Sequence, residues 1–180
     1  MKQVVFLGRG GQGAVTSSQV LAVAAFKDGK YSQAFPNFGI ERMGAPVKSY
    51  CRIDDKKITL REQVYEADYA IILDPTLLKN FDEKVNSKGL VIVNSNKQVC
   101  LPIETKARVV CVDITSVALK VIGKPFVNIA ALGAFSALTG EVTLKGLQDA
   151  IQLQMGSKGA MVEKNLVAVK EVYENALKEK

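Results

Sequence analysis

The chain is predicted to fold as an α/β protein: a mostly parallel sheet flanked by helices, with a β-hairpin inserted. Three observations carry this prediction. Short, wholly apolar runs recur along the first 112 residues, as strands buried on both faces do. Three of those runs close on Asp or Asn. The remaining residues change to helical periodicity punctuated by Gly, Thr and Asp.

Val4, Val5, Phe6 and Leu7 make the first strand, and the glycines from Gly8 to Gly13 break it. Over 14–26, Val15, Val20, Leu21, Ala24 and Ala25 fall at helical spacings, with Ser17 and Ser18 near the start; Asp28-Gly29 stops the helix. Residues 31–35 read as a second strand. Strand, glycine turn, helix and strand thus fit the length of a βαβ unit. Pro36, Gly39, Gly44 and Pro46 then mark a loop that can hold neither a long helix nor a central strand. Residues 47–53 and 57–60 follow as two extended segments joined at Asp54-Asp55-Lys56, the expected hairpin.

Three further buried strands lie at 70–73, ending on Asp74-Pro75, at 90–93, ending on Asn94, and at 109–112, ending on Asp113. Parallel strands that close this way turn their C-terminal ends toward a common crevice. Asp113 or Thr115 caps a helix reaching about residue 122. An Ala-rich apolar helix over 127–138 stops at Gly140. Thr143 caps a helix over 144–155, and 162–178 is charged and amphipathic. The helix over 127–138 is apolar around most of its circumference, so it must be covered by its own sheet or by a partner. No linker or repeat divides the chain, and one domain spanning 1–180 is expected.

Composition removes several function classes. There is no histidine, which excludes an imidazole base, a His metal ligand and a His-containing triad. Trp is absent and the net charge of +6 is diffuse, so a nucleic-acid surface is not expected. Cys51, Cys100 and Cys111 stand far apart and never approach C-x-x-C spacing, so no metal or cluster site is expected here, only reduced and mostly buried thiols. The first apolar run is too short for a signal-peptide core, and no run is long enough to span a bilayer. A cytoplasmic protein away from membranes is the expectation.

The best-formed motif is the turn Gly8-Arg9-Gly10-Gly11-Gln12-Gly13, which satisfies G-x-G-x-x-G between a strand and a helix, a Rossmann-like context. The first glycine allows the tight turn, and the second lets backbone approach a phosphate. The third allows close helix–strand packing, with the helix N-terminus aimed at the anion. Arg9 adds a cation. A tight turn that binds nothing is the alternative. For a dinucleotide the motif is incomplete, because no acid closes the second strand and Asp28 lies before it, at the helix stop.

The loop after the second strand, Phe35-Pro36-Asn37-Phe38-Gly39-Ile40-Glu41-Arg42-Met43-Gly44-Ala45-Pro46, pairs an acid with a guanidinium among turn formers. It follows the strand next in order after the glycine turn, so both emerge on the crevice side. Arg42 can grip a carboxylate or phosphate through two N–H donors, with Glu41 and Gly44 beside it. A surface ion pair on a structural loop is the alternative.

These two motifs in this order, followed by the Arg52-Ile53 strand, resemble the gamma subunit of 2-oxoacid:ferredoxin oxidoreductases, the pyruvate type most of all. The resemblance runs on through Asp74-Pro75-Thr76-Leu77-Leu78, Val93-Asn94, Val112-Asp113 and the segment Asn128-Ile129-Ala130-Ala131-Leu132-Gly133-Ala134. It departs at Met43, where family members often carry a second Arg. The resemblance implies a non-redox, non-catalytic subunit, inactive alone. Its multi-subunit enzyme converts a 2-oxoacid to acyl-coenzyme A with thiamine diphosphate and passes electrons through [4Fe–4S] clusters to ferredoxin. Those cofactors would belong to alpha, beta and delta partners. The glycine turn, with Glu41, Arg42 and Gly44, would then face coenzyme A or a neighbouring subunit. Two other classes fit the glycine turn alone: a freestanding NAD(P)-binding oxidoreductase and a regulatory binding module.

Overall fold

The structure is a computed structural model and describes residues 1–37, 43–102, 105–156 and 159–180. Among them, six strands join in one sheet: β1 (Lys2–Arg9), β2 (Tyr31–Pro36), β3 (Pro46–Asp54), β4 (Ala67–Ile72), β5 (Val85–Asn94) and β6 (Arg108–Val112). The helices are α1 (Ala14–Lys27), α2 (Ile114–Ile122), α3 (Val127–Thr139), α4 (Leu144–Met155) and α5 (Ala160–Leu177), with a 3₁₀ helix at Pro75–Asn80. The sheet order is β2-β3-β1-β4-β5-β6. β1, β4, β5 and β6 pair in parallel, and β3 is antiparallel to both of its neighbours. The α/β expectation holds, with a mixed edge.

The hairpin forms with a different partner from the one expected. Residues 46–54 pair with β2 on one side, Phe35 opposite Tyr50, and with β1 on the other, from Lys2 opposite Ile53 to Arg9 opposite Pro46. Residues 57–60 are not a strand, and a side chain holds that stretch instead. The buried Arg52 guanidinium donates to the carbonyls of Leu60 (3.3 Å) and Glu62, and to the side-chain oxygens of Gln3 (3.1 Å) and Gln33 (3.2 Å). A side-chain fork thus does for 57–62 what ladder bonds were expected to do.

The strands are apolar on both faces, yet the two faces are covered differently. Val4, Phe6, Cys51, Ile53, Ile71, Ile92 and Val110 pack with residues from all five helices. Val5, Leu7, Tyr50, Ala70, Ile72, Val91 and Val93 pack against Val64, Leu77, Leu78, Phe81 and Ala107, which lie in the connecting segments and the 3₁₀ helix. The parallel crossovers β4 to β5 and β5 to β6 are therefore made without an α-helix, and every α-helix sits on one side.

Caps fall where expected. Asp113 accepts from Ser116 N (3.0 Å) to open α2, Thr143 accepts from Gly146 N (2.9 Å) to open α4, and α3 closes on Gly140 at φ 68°. The thiols differ from expectation: Cys51 is buried, but Cys111 is half-buried and Cys100 exposed. The helix α3 touches α1, α2, α4, α5 and β5, so the chain's own elements cover it. Its apolar circumference is that of a central core helix, and a docking surface does not follow from it.

Gly133 sits where α3 meets α5, and a Cβ there would stand 2.2 Å from the Val169 carbonyl oxygen. Gly133→Ala is therefore expected to destabilise the chain by about 1–3 kcal/mol through overpacking. Denaturant titration checks this, and an unchanged midpoint would refute the close crossing.

Candidate functional site

The end of β1 runs into the glycine turn, and the loop after β2 returns to it. Gly10 N donates to Ala45 O (2.8 Å) and Gly44 N to Gly10 O (3.1 Å). Of the residues singled out from the sequence, Gly8, Arg9, Gly10, Gly11, Gln12, Gly13 and Gly44 therefore converge. Glu41 and Arg42 lie outside the described residues. Met43, at the position of departure from the family pattern, is 97% exposed.

Arg9 and Gln12 shape the turn. Arg9 Nε pairs with Asp74 Oδ2 at 2.9 Å, while its two terminal nitrogens donate to Gly44 O (3.0 Å) and Thr76 Oγ1 (2.6 Å). Gln12 accepts from Arg9 N (2.7 Å) and donates to Asp74 Oδ2 (3.2 Å). The expected free cation beside the turn is thus tied to a carboxylate. Asp74 also caps the 3₁₀ helix through Thr76 N (2.9 Å). Sequence reading left Asp74 as a strand terminator, and only the separation of 65 residues between it and Arg9 concealed the pair.

Opposite this node the α1 terminus carries no side-chain cap. Gly13 occupies the N-cap at φ 82° and offers no side-chain acceptor to the first-turn amides. A Cβ at Gly13 would lie 2.6 Å from Asn128 Nδ2, so both the backbone and the space require glycine. Phe126 at the N-cap of α3 supplies no side-chain acceptor either. Ser17 Oγ, donating to Asn128 O at 2.9 Å, brings the two helix starts together. Both border a cavity of about 670 Å³ that reaches from Gly11 and Gly13 to Phe126, Met155, Met161 and Asn165. A second cavity, of about 430 Å³, opens on the other side of the turn, toward Met43 and Val47. Two uncapped helix N-termini favour an anion by about 0.3–1 kcal/mol each at an exposed surface. The methionines and Phe126 offer an apolar wall for an uncharged remainder. Asn128, Asn165 and Phe126 were not singled out from the sequence, because no local pattern places the start of α3 beside the glycine turn.

The three polar strand ends have structural roles. Asn94 accepts from Ile114 N (3.2 Å) and Thr115 N (3.1 Å), and donates to Leu73 O (2.9 Å), fastening α2 to the ends of β4 and β5. Asp28 accepts from Thr143 N and Oγ1, both at 2.6 Å. The one acid at dinucleotide spacing therefore holds the start of α4. Cys51 and Cys111 stand four strand spacings apart, about 19 Å, on opposite faces of the sheet. These thiols do not fit one iron–sulfur cluster. Among the described residues, no group of three or more His, Cys, Asp or Glu could hold a metal, and no helix is long and apolar enough to cross a membrane.

Burial alone would raise the Asp74 carboxyl, but the hydrogen bonds from Thr76, Arg9 and Gln12 outweigh it and hold the group below the usual carboxylate range. A carboxyl depressed in the folded state stabilises fully above its unfolded value, about 3.9, and less as pH falls through its folded one. Asp74→Asn is therefore expected to be less stable than the parent at neutral pH, with the gap narrowing from about pH 5 downward. Denaturant midpoints across that range check this; a gap independent of pH would refute it.

The family model for pyruvate ferredoxin/flavodoxin oxidoreductase matches residues 3–175. The chain is 47% identical over 180 residues to pyruvate synthase subunit PorC of Methanocaldococcus jannaschii, covering 99% of this chain and 98% of that one. It is 46% identical to the pyruvate/ketoisovalerate oxidoreductases common subunit gamma of Thermococcus kodakarensis, with 96% of each covered. The crystal structure of pyruvate oxidoreductase subunit PORC from Thermotoga maritima superposes with a TM-score of 0.84 at 32% identity, over 97% of this chain and 96% of that one. With relatives that match end to end and a family model over nearly the whole chain, the chain belongs to the pyruvate ferredoxin/flavodoxin oxidoreductase family, as a chain of its gamma type.

Proposed function

We propose that this chain is the gamma subunit of a cytoplasmic 2-oxoacid:ferredoxin oxidoreductase acting on pyruvate, and that its own task is to receive an anion at the glycine turn. The assembled enzyme decarboxylates the 2-oxoacid oxidatively to acyl-coenzyme A and gives the electrons to ferredoxin. The single observation that carries the reading is the uncapped α1 terminus at Gly13, beside a cavity with one polar and one apolar side. That combination suits coenzyme A, whose phosphates seek backbone N–H groups while its uncharged arm seeks apolar cover. The end-to-end match to gamma-type relatives supports the same reading.

Residues 1–180 act in this reading as one gamma-type domain docked on alpha, beta and delta partners, which carry the thiamine diphosphate and the [4Fe–4S] clusters. Thiamine diphosphate supplies the carbanion chemistry when bound there. The chain's own residues do other work: Asp74, Arg9 and Gln12 hold the turn rigid, and Gly11, with nothing beside the place of its missing Cβ, leaves one side of it open.

Two outcomes are expected. Arg42→Ala raises the apparent coenzyme A requirement of the reconstituted enzyme about tenfold, the loss of one charge-assisted contact. An assembled variant with unchanged coenzyme A dependence refutes a role for that loop. Purified alone and anaerobically, the chain lacks the broad visible absorbance of thiolate-ligated clusters; such a band in the isolated chain would overturn its non-redox assignment.

A further inference from the structure

A third cavity, of about 410 Å³, lies on the face of the sheet opposite α1, and the family resemblance gives it no role. Its floor comes from facing rows of β2 and β3, where Gln33 stands opposite Arg52 and Phe35 opposite Tyr50. Arg61 and Glu62 form part of the rim. Arg52 is 1% exposed, and its four hydrogen bonds go to neutral oxygens, two carboxamides and two carbonyls. Neither Arg52 nor Arg61 forms an ion pair among the described residues. Glu62 is the one acid among the lining residues, against two guanidiniums.

A guanidinium keeps its charge even when buried, and with Glu62 as the one lining acid the two guanidiniums leave a net positive lining that favours an anion. Tyr50 strengthens the case. It is 7% exposed, lines the cavity, and its hydroxyl donates to no partner among the described residues. Burial, together with the nearby acids Glu83 and Asp82, pushes its phenol upward, so it stays a donor at neutral pH. The wall is aromatic as well. The Phe35 and Tyr50 rings stand 5.5 Å apart at 32°, and the Arg52 guanidinium lies 4.8 Å from the Phe35 centroid. A net positive lining, a phenol donor without a partner among the described residues and a flat apolar wall together specify a ligand class.

We propose that the cavity bounded by Tyr50, Phe35, Arg52 and Arg61 binds a small organic carboxylate on a flat apolar body, at a site separate from the glycine turn. The carboxylate meets the Tyr50 hydroxyl and the Arg61 fork within the field of Arg52, and the flat body lies along Phe35. The proposal does not depend on what the glycine turn binds.

The test uses the full chain with benzoate as the probe and benzamide as its neutral isostere, followed through the backbone amide NMR signals of Gln33, Asn37 and Gln63. Benzoate is expected to shift these signals saturably and to bind at least about tenfold more tightly than benzamide. Arg61→Gln and Tyr50→Phe are each expected to weaken benzoate about tenfold while leaving the remaining spectrum in place. Arg52 is not the residue to vary, since it also anchors the 57–62 segment. Equal binding of the two probes, shifts confined to other regions, or indifference to both substitutions overturns the proposal. Binding that vanishes when the chain is assembled with its partner subunits also overturns it, since the cavity is then an assembly contact.

Discussion

Asp74 ties together the parts on which the glycine turn depends. Its carboxylate, at the end of β4, receives Arg9 from the end of β1, Gln12 from the turn and Thr76 from the 3₁₀ helix. Two segments more than 60 residues apart, 9–12 and 74–76, thereby meet at one charge. Such hydrogen bonds to a charged, mostly buried group are stronger than neutral ones and leave little freedom of geometry. With its side chains bound to this anchor, the turn presents bare glycine backbone on its other side. The uncapped α1 terminus is thus a product of the closed Asp74 node.

The layering of the fold follows from what connects the strands. A parallel crossover ordinarily carries a helix, and helices then cover both faces. Here the connections after β4 and β5 are a 3₁₀ helix and irregular segments, so the five helices gather on one face around α3. The other face still needs apolar cover, and Val64, Leu77, Leu78, Phe81 and Ala107 provide it from those connections. Irregular segments bring unpaired carbonyls to a buried surface. Arg52 satisfies two of these, at Leu60 and Glu62, while sitting between Gln3 and Gln33. A buried guanidinium held by neutral oxygens, with Glu62 as the acid nearby, is the physical cost of that arrangement, and it gives the far-side cavity its chemical character.

Family membership and local geometry answer different questions about this chain. The end-to-end relationship to gamma-type chains fixes its class of enzyme. The geometry says which of its residues are scaffold and which are uncovered. Arg9 and Gln12 belong to the familiar glycine signature yet face inward to Asp74, whereas Gly11 remains open and Gly13 packs against Asn128.

The sequence by itself determined the elements governed by local physics. Apolar runs of strand length, the start of α1 after Gly13 and its stop at Asp28, the start of α2 at Asp113 or Thr115, the Thr143 cap and the Gly140 stop were all legible, because each depends on neighbours within a few residues. The glycine turn was legible for the same reason. Tertiary structure alone decided which extended segment pairs with β3, since the propensities of 57–60 were overruled where the Arg52 guanidinium takes the carbonyls of Leu60 and Glu62. It decided that Arg9 is neutralised, that Asp28 belongs to Thr143, and that α3 is enclosed rather than offered to a partner. It also placed Asn128 and Phe126 beside Gly13. Each of these outcomes rests on a contact across tens of residues, where local pattern carries no information about which of several available partners a charge, a carbonyl or an apolar face will meet.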